Sequence, residues 1–192
     1  MDRWMEEKER NKSRLWLIGI FSSLGLLVWA LLGWTGTEMM FHATDGAEFC
    51  GNCHVMSPMV NSYRDDVHGG KNANGFRATC LQCHLPHDSP QAYGFAKART
   101  GMHDLWAQWT YDLKQIDWEA KRERREEYTY DSGCLSCHEN LERSTMASNK
   151  AFVAHRPYFQ KTTQKTCVTC HAHVGHFELQ ENLKASQSMA QF

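Results

Sequence analysis

Cys50-Gly51-Asn52-Cys53-His54 is a pattern that the chain repeats and that decides its fold. The same C-x-x-C-H order returns at 80–84, 134–138 and 167–171, so all eight cysteines lie in four identical motifs. A disulfide framework does not require a histidine after every second cysteine, and paired C-x-x-C zinc sites do not explain it either. C-x-x-C-H is the signature of c-type haem attachment, so we interpret each motif as a haem site.

The spacing of the motif suits covalent attachment. Two thiols add to the two vinyl groups of one porphyrin, and the following histidine then lies under the iron as a possible axial ligand. We therefore predict four covalently bound haem c groups. Their attachment residues are Cys50, Cys53, Cys80, Cys83, Cys134, Cys137, Cys167 and Cys170. Because bacterial haem attachment takes place outside the inner membrane, we expect the haem region in the periplasm.

Composition narrows the class of protein. The chain has 192 residues and a formal net charge of −1, whereas a nucleic-acid-binding protein usually shows a clear basic excess. Its mean hydropathy of −0.59 excludes a polytopic membrane protein but allows one span. We therefore expect no nucleic-acid partner.

One apolar segment, residues 15–34, is uncharged over 20 residues. At 1.5 Å per residue it is about 30 Å long, the thickness of a bilayer core. A cleaved signal peptide is the alternative, but its apolar core is usually shorter and is followed by a small-residue cleavage site. Since Lys and Arg precede the segment, we predict a cytoplasmic N-terminus at 1–14, a transmembrane anchor at 15–34 and a periplasmic haem domain at 35–192.

The fold class follows from the haem content. Residues 35–192 are too few to bury a large core of their own, so the porphyrins must form much of it. We predict a mostly α, haem-dominated multihaem cytochrome c fold with little sheet and one N-terminal transmembrane helix. The clearest helix is predicted at 90–127, with an apolar face of Met102, Leu105, Trp106, Trp109, Leu113 and Ile116. Its charged end, 119–128, is interpreted as a solvated helical face or a linker.

The chain has more histidines than its four motifs contain, so candidate axial ligands are in surplus. Four irons take up to eight ligands, and the motif histidines supply four. Seven further histidines remain: His42, His68, His87, His103, His155, His173 and His176. This surplus indicates several bis-His haems, which suits low-potential electron transfer better than oxygen binding. Met56, two residues after the first motif, is a candidate ligand of the first haem or an ordinary packing residue.

Three stretches resemble the NapC/NirT family of membrane-anchored tetrahaem quinol dehydrogenases. They are the C-x-x-C-H-x-M of Cys50 to Met56, the segment from His68 to His87, and the ending from Cys167 to His176. The resemblance covers nearly the whole chain, with one N-terminal span followed by four motifs. It implies a membrane-anchored tetrahaem cytochrome c.

The family resemblance also implies a ligand set. Met56, rather than His54, binds the first iron, and His84, His138 and His171 are proximal ligands of haems 2, 3 and 4. His68, His155 and His176 are the implied distal ligands. His155 is placed on haem 2, because related chains without it borrow a ligand from a partner subunit; the positions of His68 and His176 on haems 3 and 4 stay open. His173 competes with His176.

The same resemblance implies a quinol site beside haem 1 at the membrane surface, with Lys97 and Asp104 as its residues. Positions i and i+7 lie on one face of a helix, which agrees with a shared site. A carboxylate accepts a proton and an ammonium donates a hydrogen bond to a quinol oxygen. An ordinary solvent-exposed pair is the alternative reading of the spacing.

The predicted function is oxidation of quinol or menaquinol and transfer of electrons to a periplasmic reductase or another multihaem protein, in anaerobic respiration of the nitrate or nitrite type. The location is the bacterial inner membrane, with the lipid bilayer as a partner. Alternatives are a passive anchor and electron relay, reverse flow into the quinone pool, and a terminal reductase at an open haem 1. The sequence leaves a homo-oligomer open.

Overall fold

The computed structural model describes residues 2–189 and contains helices joined by loops. The helices are α1 (Asp2–Ala43), α2 (Ala47–Cys50), α3 (Ser57–Arg64), α4 (Cys80–His84), α5 (Pro90–Thr110), α6 (Trp118–Glu123), α7 (Asp131–Cys137), α8 (Leu141–Thr145), α9 (Asn149–Phe159), α10 (Cys167–Cys170) and α11 (Leu179–Met189). Short 3₁₀ turns lie at His54–Met56, Leu113–Gln115 and Arg125–Glu127. The only β pairing among these residues is an isolated bridge between Gly69 and Arg77. The mostly α fold with little sheet is confirmed.

The N-terminal helix α1 forms a unit that ends at Thr44. It is long and apolar enough to cross a membrane, and its apolar side chains, Trp16 and Trp29 among them, are exposed. The helix extends beyond the apolar segment 15–34 at both ends, because its flanking residues continue the helical hydrogen bonding without a proline. The predicted single apolar helix is therefore present.

The second unit begins at Asp45 and contains all four C-x-x-C-H motifs. Its described apolar core is small and consists of Ala47, Val60, Ala78, Leu85, Val168, Leu179 and Leu183. α11 packs against α3, and α4 packs against α7. Such a core is slight for a domain of this length, which agrees with the expectation that bound groups supply much of the interior.

The predicted long helix at 90–127 is wrong in its second half. α5 ends at Thr110, and Tyr111 adopts an extended conformation with φ −103° and ψ 147°. A new helix, α6, then begins after Asp117, whose side chain accepts a hydrogen bond from the backbone N–H of Ala120 at 2.9 Å. The apolar period continues through this break, but an N-cap aspartate and an extended residue override it.

The apolar face of α5 is exposed within the described unit. Met102, Leu105, Trp106 and Trp109 all lie on it, and Trp109 is 80% exposed. The opposite face carries Tyr93 and Lys97, which contact Asp45. The predicted members Leu113 and Ile116 lie beyond the end of α5, and no segment in the described part of the chain covers this face.

The contact between α4 and α7 depends on a glycine. A Cβ atom on the buried Gly133 would lie 2.1 Å from the carbonyl oxygen of Gln82, inside the second motif. The backbones of the second and third motifs therefore approach at a position that only glycine allows.

We expect Gly133→Ala to destabilise the holoprotein by about 1–3 kcal/mol, because the methyl group forces α4 and α7 apart. Gly101→Ala on α5 is the matched control, since a Cβ there meets nothing within 4 Å. The control should leave stability unchanged or raise it by roughly 0.4–1 kcal/mol. Thermal unfolding at equal haem content measures both, and equal melting temperatures would contradict the close approach.

Candidate functional site

The four motifs contact one another in chain order. The side chains of Cys50 and Cys80 are hydrogen-bonded, which lowers the pKa of Cys50 to about 7 and raises the pKa of Cys80. Cys134 and Cys167 form the same kind of pair, which lowers the pKa of Cys134 to about 7 and raises that of Cys167. The first motif thus lies beside the second, and the third beside the fourth.

The two pairs are joined through the second and third motifs. The backbone N–H of Tyr130, which precedes α7, donates to the carbonyl oxygen of Cys83 at 3.1 Å. Burial raises the pKa of Cys83 to about 11, and the negative charges of Cys134 and Cys137 add to this effect. All eight thiols are free, as addition to porphyrin vinyl groups requires.

Local capping shapes the second and fourth motifs alike. Thr79 before α4 and Thr166 before α10 each form a capping box, with Gln82 and Thr169 as the return partners. The box starts a helical turn at the first cysteine, so both thiols of the motif lie on that turn. In the first motif the helix ends at Cys50, and a 3₁₀ turn begins at His54.

This different backbone sets the first motif apart. The His54 side chain is exposed, whereas Met56, at the end of the 3₁₀ turn, is half-buried. The structure records no ring contact between His54 and another histidine among the described residues. The first motif therefore lacks the paired imidazoles that the other three possess.

Each of the other three motif histidines faces one further histidine. The ring centroids of His84 and His176 are 6.2 Å apart, those of His138 and His68 are 6.3 Å apart, and those of His171 and His155 are 6.0 Å apart. Two imidazoles bound to opposite sides of one metal ion, with metal–nitrogen bonds of about 2 Å, have centroids roughly 6 Å apart. The three pairs therefore fit bis-His haem iron.

The pairing differs from the sequence-based expectation at two residues, because His176, expected on haem 3 or 4, faces His84 of the second motif. The family resemblance predicts His155 at the second motif, but its ring stacks near His171 of the fourth motif. His155 on α9 meets the residue that follows α10, while the loop before α11 brings His176 to the second motif. Chain order alone does not reveal this exchange, because both histidines follow the third motif.

The hydrogen bonds of these histidines leave one nitrogen available. The Nδ1–H of His84 donates to the carbonyl oxygen of Tyr128 at 2.7 Å, and that of His155 donates to Ala151 at 2.8 Å. His176 Nδ1–H donates to the hydroxyl of Ser62 at 3.0 Å. When Nδ1 donates in this way, Nε2 carries the lone pair that binds a metal.

Burial keeps two of these imidazoles neutral. It lowers the pKa of His176 to about 4, with a further contribution from His84, and it lowers the pKa of His84 below its ordinary value. A neutral imidazole is the form that binds a metal. The donor set therefore fits haem iron in chemistry as well as in spacing.

His173, the competitor of His176, has a different environment. Its Nδ1 accepts a hydrogen bond from the Arg122 guanidinium at 2.7 Å, and its side chain is exposed. In the neutral ring this leaves the proton on Nε2, which then has no lone pair for a metal. The geometry therefore favours His176.

Lys97 and Asp104 lie on one helix but not in contact. The Lys97 ammonium forms an ion pair with Asp45, a largely buried pair, and the Tyr93 hydroxyl donates to the same carboxylate oxygen at 3.2 Å. Asp104 is 80% exposed and accepts from the His103 ring at 3.3 Å. Sequence reasoning missed Asp45, because no motif connects it to Lys97 across 52 positions.

Both carboxylates lie close to the first motif. The negative charges of Asp104 and Asp45 act on the Cys50 thiol, where they oppose the lowering of its pKa by Cys80. Two carboxylates therefore lie within electrostatic reach of Cys50; Asp45 is paired with the Lys97 ammonium, and Asp104 is open to solvent. Such a cluster can hold a hydroxylated molecule and accept its proton.

Comparison with known proteins gives one matching family model and several similar relatives. The family model described as NapC/NirT cytochrome c family, N-terminal region, matches residues 11–181. The tetraheme c-type cytochrome CymA of Shewanella oneidensis is 31% identical over 173 residues, which covers 81% of this chain and 91% of CymA. The cytochrome c-type protein TorC of Escherichia coli is 29% identical over 171 residues, 83% of this chain. That match spans only 40% of the length of TorC.

One solved structure shares the fold. It is the crystal structure of the cytochrome c nitrite reductase NrfHA complex bound to the HQNO inhibitor. The TM-score is 0.53 at 23% sequence identity, over 80% of this chain and 89% of the matched chain. The multihaem cytochrome c architecture predicted from the motifs is thereby confirmed.

We expect His176→Ala to convert one low-spin haem into a high-spin haem, because it removes an imidazole that faces His84. His173→Ala is the control from the same loop, and it should leave all haems low-spin. Absorption and electron paramagnetic resonance spectra of the purified holoproteins measure both. A high-spin signal in the His173 variant alone would contradict the choice of ligand.

Proposed function

Since the chain belongs to the NapC/NirT cytochrome c family, we propose that it oxidises membrane quinol or menaquinol and passes the electrons to a periplasmic reductase, of the nitrate or nitrite type. As a c-type cytochrome the chain has a redox role; quinol is the proposed electron donor and the periplasmic reductase is the proposed acceptor. The observation that carries it is the cluster of Lys97, Asp45 and Asp104 around the first motif.

The haem ligands follow from the histidine pairs. We propose that the second haem is held by His84 and His176, the third by His138 and His68, and the fourth by His171 and His155. The spacing of about 6 Å within each pair and the free Nε2 atoms support this assignment. Met56, half-buried at a motif without a facing imidazole, is the proposed ligand of the first haem.

Quinol oxidation releases two protons with its two electrons, so the site needs a proton acceptor. Asp104 is ionisable, exposed and close to Cys50, and it is the proposed acceptor, directly or through water. The Lys97 ammonium donates a hydrogen bond to a quinol oxygen and fixes its position. Bound haem supplies one-electron redox chemistry, which protein side chains lack.

Asp45 explains how Lys97 keeps its position. The Lys97 side chain is only 11% exposed, and its ion pair with Asp45 compensates the ammonium for the loss of water. The Tyr93 hydroxyl fixes the same carboxylate from a second side. We therefore add Asp45 to the site as a positioning residue for Lys97.

The proposed location follows from α1. Its apolar segment is preceded by Arg3, Lys8, Arg10, Lys12 and Arg14, a distribution typical of a cytoplasmic N-terminus. The C-terminal haem unit is then periplasmic, on the side where haem is attached. The bilayer is in this proposal both the anchor and the source of quinol.

We expect Lys97→Gln and Asp104→Asn to reduce menaquinol oxidation on the order of 10²-fold at full haem content, because hydrogen bonding and proton acceptance are lost. Arg99→Gln is the matched control, an exposed cation on the same helix. Stopped-flow reduction of the purified full chain by menaquinol measures the rates. Normal rates in both variants would exclude this site.

The wild-type protein also separates quinol oxidation from its alternatives. Direct reduction of the isolated chain by menaquinol is expected, whereas a passive relay would show none. Haem potentials above that of the quinone couple would support electron flow from quinol to the haems, and potentials well below it would favour reverse flow.

For Asp45→Asn we expect a roughly tenfold lower kcat/KM, because the ammonium of Lys97 loses its fixed position. The double variant with Lys97→Gln should be no slower than Lys97→Gln alone, since both changes remove the same interaction. Asp65→Asn removes the carboxylate of another Lys–Asp pair, with Lys71, and should leave the rate unchanged. Additive losses in the double variant would show that Asp45 acts independently of Lys97.

A further inference from the structure

His68 differs from the other non-motif histidines that face a motif histidine, because its partner is a carboxylate. Its Nδ1 lies 3.1 Å from Oδ1 of Asp66. The corresponding partners of His155 and His176 are a backbone carbonyl and a serine hydroxyl, both uncharged. One histidine pair therefore has a negative charge behind it that the others lack.

The carboxylate of Asp66 is buried and fixed. Asp66 is 6% exposed, and the same Oδ1 also accepts the backbone N–H of His68 at 2.8 Å. Its salt-bridge partner in the described part of the chain is His68, and no Lys or Arg there lies within ion-pair distance of it. Its charge is thus directed at the imidazole rather than neutralised by a cationic side chain.

The loop that carries this pair is rigidly built. Asn72 donates to the carbonyl oxygens of Val67 and Phe76 and accepts from two backbone N–H groups of the same loop. Gly69, the next residue after His68, approaches Tyr63 so closely that a Cβ would lie 1.8 Å from its carbonyl oxygen. The hydrogen bonds of Asn72 and the close approach of Gly69 therefore hold the loop that carries Asp66 and His68.

Asp66 also lies close to the second motif. Its negative charge acts on the thiol of Cys83 and on the imidazole of His176. The His68–His138 pair belongs to the third motif, so the carboxylate lies between two proposed haem sites. At the third site it is hydrogen-bonded to the candidate ligand itself.

We propose that Asp66 is a positioning residue that lowers the reduction potential of the haem held by His68 and His138, and so differentiates it from its neighbours. This inference rests on the proposed ligation by His68. A carboxylate behind a metal-bound imidazole makes the ligand more basic, which favours the oxidised, more positively charged iron. A buried negative charge has the same effect through space, because a low dielectric weakens its screening.

The test compares two neighbouring aspartates in the full holoprotein. Asp66→Asn retains Oδ1, which can accept both hydrogen bonds of the loop, but removes the charge. Asp65→Asn removes a charge one residue away, from an exposed side chain that is paired with Lys71. Redox titration followed by visible and electron paramagnetic resonance spectra gives the potentials of the four haems and their spin states.

For Asp66→Asn we expect one low-spin haem to become about tenfold easier to reduce, a rise of about 59 mV for one electron. Asp65→Asn should leave all four potentials unchanged. Four unchanged potentials in Asp66→Asn at full haem content would overturn the proposal. A new high-spin haem in that variant would also overturn it, because Asp66 would then act only by holding the loop.

His68→Ala separates the inference from the ligation on which it rests. A new high-spin haem is expected there, and its absence would reject His68 as a ligand. None of these measurements uses quinol. A failure of quinol oxidation would therefore leave the potentials, and the inference drawn from them, to be judged independently.

Discussion

Covalent attachment of porphyrin to four cysteine pairs is the constraint on which this fold depends. The haem-bearing unit buries few apolar side chains, with Leu85 and Val168 among them, and its helices are mostly too short to be stable alone. Contacts between the attachment motifs compensate for the small apolar core and the short helices. The capping boxes at Thr79 and Thr166 start the turns that present the thiols, and Gly133 allows two motifs to approach. The capping boxes and the glycine thus position the cysteines to which the large, apolar porphyrins are attached.

The histidines show how one residue type serves three roles. Motif histidines follow their cysteines in sequence, so the motif alone makes them candidate axial ligands. His68, His155 and His176, the proposed distal ligands, face three of them from distant segments, and each has its Nδ1 engaged by a different partner. The Nδ1 of His173, in contrast, accepts a hydrogen bond from Arg122, so the ring proton is on Nε2. The hydrogen bond on the far nitrogen distinguishes a candidate ligand from a surface histidine.

Much of the architecture could be predicted from sequence, because it depends on local patterns. The motifs, the apolar helix α1 and the apolar face of α5 all have short-range signatures. The break at Tyr111 could not be predicted from periodicity, since the apolar period passes through it while Asp117 starts a new helix. Asp45 and the exchange of His155 and His176 depend on contacts between distant segments. The sequence shows these residues, but it does not show which distant residues they contact.

The Cys50–Cys80 contact has a consequence for biogenesis. A thiol with a pKa of about 7 is substantially ionised at neutral pH, and its neighbour belongs to a different attachment motif. If these two thiols meet before porphyrin is attached, a disulfide between them removes one attachment sulfur from each of two motifs. Keeping the thiols reduced until attachment prevents this, and the Cys134–Cys167 contact adds the same requirement at the third and fourth motifs.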